Sequence, residues 1–258
     1  MKFFLSALLA LSFTAASTNA KDLVVVVGGT GQSGIEVIKQ LQADDAYDVR
    51  ATTRNVERAK ETHGEDIDWV SMEVQDVDQI RAAFKEADFI ISTIGARTAR
   101  GPNGPEYVDY GGVKNIVGVA KDYGVKQFVL MSAASAGKTD HMLNVAVNNV
   151  LIWKWLGEDY LRDSGMPYTV IRPVALRNEP RGLRGVTFAT MGNYDLGYIA
   201  RADAAAIMVA SLQNPAALNK SIEIIGSDDV EAEQWKTLYA SIPTDLAPLD
   251  TGEFSDGQ

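Results

Sequence analysis

No cysteine occurs in the 258 residues of this chain. That excludes a cysteine nucleophile, thiolate metal ligands, iron–sulfur clusters of the usual kind and disulfides. A chain of this length can bury a sizeable core without disulfides, so the absence does not fix a compartment. The two histidines, His63 and His141, cannot by themselves make a zinc site, and no metal is expected. There is no basic run, and 24 Lys and Arg stand against 34 Asp and Glu for a formal charge of −10, so no nucleic-acid partner is expected. No apolar run is long enough for a membrane span. Repeats, long linkers and coiled-coil heptads are also missing. What remains is an ordinary globular composition, 46% hydrophobic and 22% charged, that suits one large domain or a domain with a small lobe.

The informative stretch is DLVVVVGGTGQSG at 22–34. Leu23 to Val27 form an apolar run dominated by β-branched valine, which suits a strand buried on both faces. Glycines follow at 28, 29, 31 and 34, and Ile35, Ile38 and Leu41 then recur at helical spacing. The reading is strand, tight turn, helix. Such a turn leaves the backbone N–H groups of Thr30, Gln32 and Ser33 at the positive end of a helix dipole, a place for phosphate. Gly28 permits the sharp turn, Gly31 lets a pyrophosphate approach the backbone, and Gly34 lets the helix pack close to the strand.

Strands and helices alternate from there: strands over 47–53, 67–74, 88–94, 126–132 and 168–172, with helices over 55–61, 77–86, 106–123 and 143–164 between them. This predicts an α/β fold with a doubly wound parallel sheet, its ligand at the carboxyl ends of the strands. After Pro173 the pattern loosens. Residues 174–200, including a strand over 185–190, are expected to form a small C-terminal substrate lobe. A helix over 202–212, a strand over 221–225 and a helix over 230–240 complete a domain of residues 21–240. Residues 241–258, rich in Pro, Asp and Gly, are expected to be a flexible tail.

Residues 1–20 are expected to lie outside the fold. Lys2, the apolar stretch from Phe3 to Leu11 and the small residues ending at Ala20 resemble a cleavable secretory signal. A plastid-type leader or an uncleaved anchor is the alternative.

The second strand ends at Arg54. In a dinucleotide-binding fold this tip faces the adenosine ribose, where an acid selects NAD and an arginine suits the 2′-phosphate of NADP. Arg54 therefore points to NADP, with NAD as the second choice.

The segments VVGGTGQSG at 26–34, VRATTRN at 49–55, EVQDVDQI at 73–80, YVDYGGVKNIVGVAKDYGVKQFVLMSA at 107–133, KWLGEDYLRDSGMPYTVIRP at 154–173 and YIARADAAAIMVASL at 198–212 carry a family resemblance. Together they resemble the atypical short-chain dehydrogenase/reductase superfamily, the Rossmann-fold NAD(P)-binding group that includes NmrA-like and isoflavone-reductase-like proteins. The resemblance implies that Gly28, Gly31 and Gly34 hold the pyrophosphate turn. It implies that Glu73 and Val74 border the adenine, that Thr93, Ile94 and Gly95 line the cofactor, and that Pro173 and Val174 pack near the nicotinamide. Lys154 would contact the nicotinamide ribose and is the one candidate catalytic residue.

The departures are as informative. The family's Tyr, four residues before its Lys, is replaced here by Val150. The family's active-site Ser falls near Ala134, with Ser132 and Ser135 beside it. The usual Ser–Tyr–Lys proton machinery is therefore incomplete, and Tyr107, Tyr110 and His141 are the remaining proton-donor candidates. Asn219-Lys220-Ser221 is a glycosylation sequon. The expected partner is a small-molecule substrate. The leading expectation is an NADPH-dependent oxidoreductase of a small conjugated substrate, and its rival is a non-catalytic dinucleotide-binding sensor or assembly factor.

Overall fold

The structure, a computed structural model, describes residues 20–192 and 197–245. The leader expected at 1–20, Ala20 apart, and the part of the expected tail from 246 onward lie outside the described residues.

Strand β1 (Asp22–Val27) enters helix α1 (Gln32–Gln42) through the glycine turn. β2 (Tyr47–Thr53), α2 (Val56–His63), β3 (Asp68–Ser71), α3 (Val77–Ala83) and β4 (Phe89–Ser92) follow. A π-helical segment (Glu106–Gly112) runs into α4 (Val113–Asp122), then β5 (Gln127–Met131), α5 (Met142–Ala146), α6 (Val150–Asp163) and β6 (Tyr168–Pro173). The last third comprises β7 (Ala175–Arg177), β8 (Gly185–Ala189), β9 (Tyr198–Ala200), α7 (Arg201–Ala210) and β10 (Lys220–Ser227), with a 3₁₀ segment at Gln234–Ser241.

The main sheet has the order β3-β2-β1-β4-β5-β6-β10-β8. Every pairing in it is parallel except β10 with β8. This is the doubly wound Rossmann arrangement, in which strand order reverses at β1 and opens a crevice at the carboxyl ends of β1 and β4. The valine run of β1 explains its own position. Val24 and Val26 face the layer holding α1 and α7, Val25 and Val27 face the layer holding α3, α4 and α6, and all four are fully buried.

Four expectations are revised. The helix expected over 143–164 is broken between α5 and α6, where Asn148 and Asn149 both take left-handed backbone, at φ 44° and 58°. Asparagine tolerates that conformation, and Asn144 stabilises the break by donating to Lys138 O and accepting from Leu151 N. The strand near 185–190 does not sit in a separate lobe: β8 adds to the main sheet as its antiparallel edge, and only β7 and β9 form a small separate sheet. The helix expected over 230–240 is the shorter 3₁₀ segment. Residues 241–245, expected to open the tail, are held to the fold. Ile242 is buried, and Asp245 accepts from Tyr168 Oη at 2.8 Å and Ser221 Oγ at 2.7 Å.

Candidate functional site

A cleft opens where the strand order reverses. It is lined by the glycine turn, by Thr53 and Arg54 at the tip of β2, by Glu73 and Val74 after β3, and by Thr93, Ile94 and Gly95 after β4. Gly28 has φ +83°, which a side chain rarely permits. A Cβ on Gly34 would stand 2.3 Å from Gly28 O, so α1 can start at this depth only with glycine there. Gly29 has a role the sequence did not disclose: a Cβ there would meet Ala51 Cβ at 2.9 Å and the Trp69 ring at 3.0 Å.

The turn is fixed by Gly31 N donating to Gly28 O at 2.9 Å and Gly29 N donating to Thr52 O at 3.0 Å. Among the described residues no backbone acceptor takes the N–H of Thr30, Gln32 or Ser33, and the first turn of α1 holds no acidic residue and no side-chain cap. These donors and the dipole behind them form a cradle for an anion. The residues present therefore fit a dinucleotide: small at the turn, open N–H groups above it, and a basic tip at β2.

Arg54 Nη1 donates to Asn103 Oδ1 at 2.8 Å across the mouth of the cleft and lies 3.8 Å from Glu73. Arg97 lines the same mouth and pairs with no carboxylate among the described residues. As a loop arginine it carries no sequence pattern that marks it as a ligand.

Lys154 and Ser132 stand at the inner end, around a small cavity that shares Ile94 with the cleft. Lys154 Nζ is 2.6 Å from Asp109 Oδ1, with the lysine side chain 17% and the aspartate 1% exposed. Asp109 also accepts from Ala96 N at 3.0 Å, so one buried carboxylate holds both the lysine and the loop after β4. It sits on the π-helical segment, whose wider turn is a common feature of functional sites. A Cβ on Gly157 would be 2.4 Å from Asp109 O, so glycine lets α6 close onto that segment. A Cβ on Gly95 would be 3.8 Å from Lys154 Nζ, which puts the ammonium at the floor of the cleft. The ion pair leaves Lys154 two further N–H donors.

Not every expected residue converges here. Ser33 is buried, and its hydroxyl accepts from Arg201. Gln32 is exposed. Pro173 ends β6 inside the core and Val174 packs against it; neither lines the cleft. Tyr110 stacks on Trp153 at 6.0 Å, and His141 Nδ1 accepts from Leu143 N as the cap of α5. Tyr107 is exposed.

A second cavity lies on the opposite side of α6 from Lys154. Ile152, Trp155, Leu156 and Met191 give it apolar walls, and Ser135, Lys138 and Glu223 also line it. Burial pushes the Glu223 carboxyl up, against the Gly192 N–H it accepts and the pull of Arg172 and Lys138.

A doubly wound sheet with a glycine cradle at its switch point defines a dinucleotide-binding protein. The chain belongs to the NAD(P)H-binding family, whose sequence profile matches residues 28–215. It is 29% identical to the uncharacterized chloroplastic protein At2g37660 of Arabidopsis thaliana, over 91% of this chain and 79% of the relative. It is 37% identical to sanguinarine reductase of Eschscholzia californica, over 54% of each. Its fold matches that of ChuY, an anaerobillin reductase of Escherichia coli O157:H7, with a TM-score of 0.67 at 20% identity, over 80% of this chain and 98% of the other. In the described residues no helix is long and apolar enough to cross a membrane.

Proposed function

We propose that this protein is an NADPH-dependent reductase of a small conjugated substrate. The observation that carries the reading is the Lys154 ammonium at the floor of the cleft, beside Gly95 and tied to Asp109. The nicotinamide supplies the hydride when bound. The chain's own residues do the rest. The Thr30, Gln32 and Ser33 N–H groups hold the pyrophosphate, Arg54 and Arg97 meet the 2′-phosphate, and Glu73 and Val74 border the adenine. Lys154 uses its free donors on the ribose hydroxyls and toward charge developing on the substrate. The reductases among the proteins it resembles support the reaction class.

The test is NADPH oxidation against a panel of flavins, quinones and polycyclic phenols. Turnover with conjugated acceptors and almost none with simple ketones or aldehydes is expected, because Val150 replaces the usual phenol donor. Brisk ketone reduction would sink the reading and turn attention to Tyr107 and Tyr110.

Cofactor choice is a separate expectation. Arg54→Ala should remove most of the preference for NADPH over NADH, about 1.5–3 kcal/mol for a hydrogen bond to a charged group. Equal calorimetric affinities of the unaltered protein for both nucleotides would contradict it.

A second reading, a nucleotide-bound sensor without turnover, is favoured by one observation: Val150 stands where the family's phenol donor would be. It predicts tight NADPH binding and no acceptor in the panel.

The first twenty residues are proposed to be an address, secretory or plastid, and the chloroplastic relative favours the second. The mature protein is expected to begin near Lys21 by N-terminal sequencing; an intact Met1 would refute a cleaved leader.

A further inference from the structure

Arg201 is the first residue of α7, after Ala200 at its N-cap. A cation there is on the wrong end of a helix dipole. Its Nη1 donates to Ser33 Oγ at 2.8 Å, which brings the guanidinium to the N-terminus of α1, a second positive helix end. Its Nε donates to Asn178 Oδ1 at 2.9 Å, and Nη2 has no hydrogen-bond partner among the described residues. No carboxylate there lies within ion-pair distance of it.

The acids nearby are committed elsewhere. Glu36, whose charge reaches Arg201, pairs with Lys39 at 2.8 Å. Asp203, in the same first turn of α7, is buried and accepts from Gly182 N at 3.0 Å. Burial pulls the Arg201 guanidinium below its ordinary value, with Glu36 offsetting part of that. A partly buried cation, without a counter-ion and against two helix N-termini, is a costly arrangement unless an anion completes it.

We infer that Arg201 is a cofactor-binding residue that clamps the pyrophosphate from the side of α7, with Ser33 holding its fork in place. The inference rests on the dinucleotide reading of the cleft and goes further by assigning charge neutralisation to a residue far from the glycine turn in sequence. It separates two anion subsites: Arg54 and Arg97 at the 2′-phosphate, Arg201 at the pyrophosphate. Arginine presents two parallel donors to such an oxygen pair, which lysine does not.

Isothermal titration of the full chain with three probes separates the subsites. ADP carries a pyrophosphate and no 2′-phosphate; 2′-AMP carries the reverse; NADPH carries both. Arg201→Gln is expected to weaken ADP and NADPH about 10-fold or more, as for a charge-assisted bond, and to leave 2′-AMP unchanged. Arg201→Lys should fall between the two. Arg54→Ala should show the converse, losing 2′-AMP and sparing ADP. Unchanged ADP binding in a folded Arg201→Gln, or an equal loss for all three probes, overturns the assignment. Should Arg201→Gln melt near room temperature, Arg201→Lys decides: weaker ADP with unaltered 2′-AMP supports the clamp, and no change in either refutes it. Failure of the unaltered protein to bind any of the three would instead overturn the dinucleotide reading itself.

Discussion

Arg172→Met is expected to destabilise the protein by about 3 kcal/mol, at the lower end of what breaking a buried ion pair costs. Arg172 is 1% exposed and bonds to Glu158, itself 0% exposed, through both Nε and Nη2; Glu223, 4.0 Å from Nη1, is the second carboxylate facing it. Methionine fills similar space yet leaves two buried carboxylates without their cation. Arg162, 3.3 Å from Glu158, remains and moderates the loss. A typical domain has only about 5–15 kcal/mol in total, so the midpoint of urea unfolding should fall visibly, with the slope unchanged.

Acid dependence follows from the same cluster. Burial works to raise the Glu158 carboxyl, but Arg172 and then Arg162 outweigh it and hold it below the ordinary value. A depressed carboxyl contributes stability that is present above its unfolded pKa and lost as pH falls through the folded one. The unaltered protein should therefore keep this part above the ordinary carboxylate range and lose it as pH falls below that range, and Arg172→Met should lack it at neutral pH. Glu223 runs the other way: its raised carboxyl favours the fold at low pH, and that part is lost as pH rises through the folded value. The double change Arg172→Met with Glu158→Gln should recover part of the loss, since no ionised Glu158 is then left unpaired. A single variant as stable as the parent at pH 7 would show that the pair contributes nothing.

Lys154→Met is expected to lower turnover with a conjugated acceptor by roughly 100-fold or more, the scale for losing a positioned proton-transfer or charge-stabilising group. The structure adds a complication that the sequence did not contain. Asp109 is buried, and without Lys154 its carboxylate keeps, among the described residues, only the Ala96 N–H. Lys154→Met should therefore also lower the melting temperature. Pairing it with Asp109→Asn separates the two effects: the double variant should regain stability and not turnover. If it regains both, Lys154 acts only by neutralising Asp109. If turnover of the single variant recovers at saturating NADPH, Lys154 holds the ribose and takes no part in the chemistry.

Much of this was legible in the chain itself. The β1–turn–α1 unit is local: four valines choose a strand buried on both faces, and the glycines permit a turn that a Cβ would block, so residues within a dozen positions of each other determine it. Arg54 was readable for the same reason, since the end of β2 follows from its own apolar pattern. Asn55 capping α2 is equally local. The break before α6 was written only in Asn148-Asn149, because apolar periodicity continues on both sides of it.

The long-range pairs are what tertiary structure decided. Asp109 meets Lys154 across 45 positions, Arg201 meets Ser33 across 168, and Arg172 meets Glu158 and Glu223 across a helix and two strands. The addition of β8 to the main sheet is of the same kind. Periodicity tells which face of an element is buried; it does not tell which charged side chain on that face will be opposite another. That is set by how α6, α7 and the π-helical segment close over the sheet, with Gly157 and Gly34 permitting the contact distance. Local chemistry therefore determined where the nucleotide cradle lies, and packing decided which charges surround it, because a buried ion pair forms only where the assembled layers bring its partners within reach.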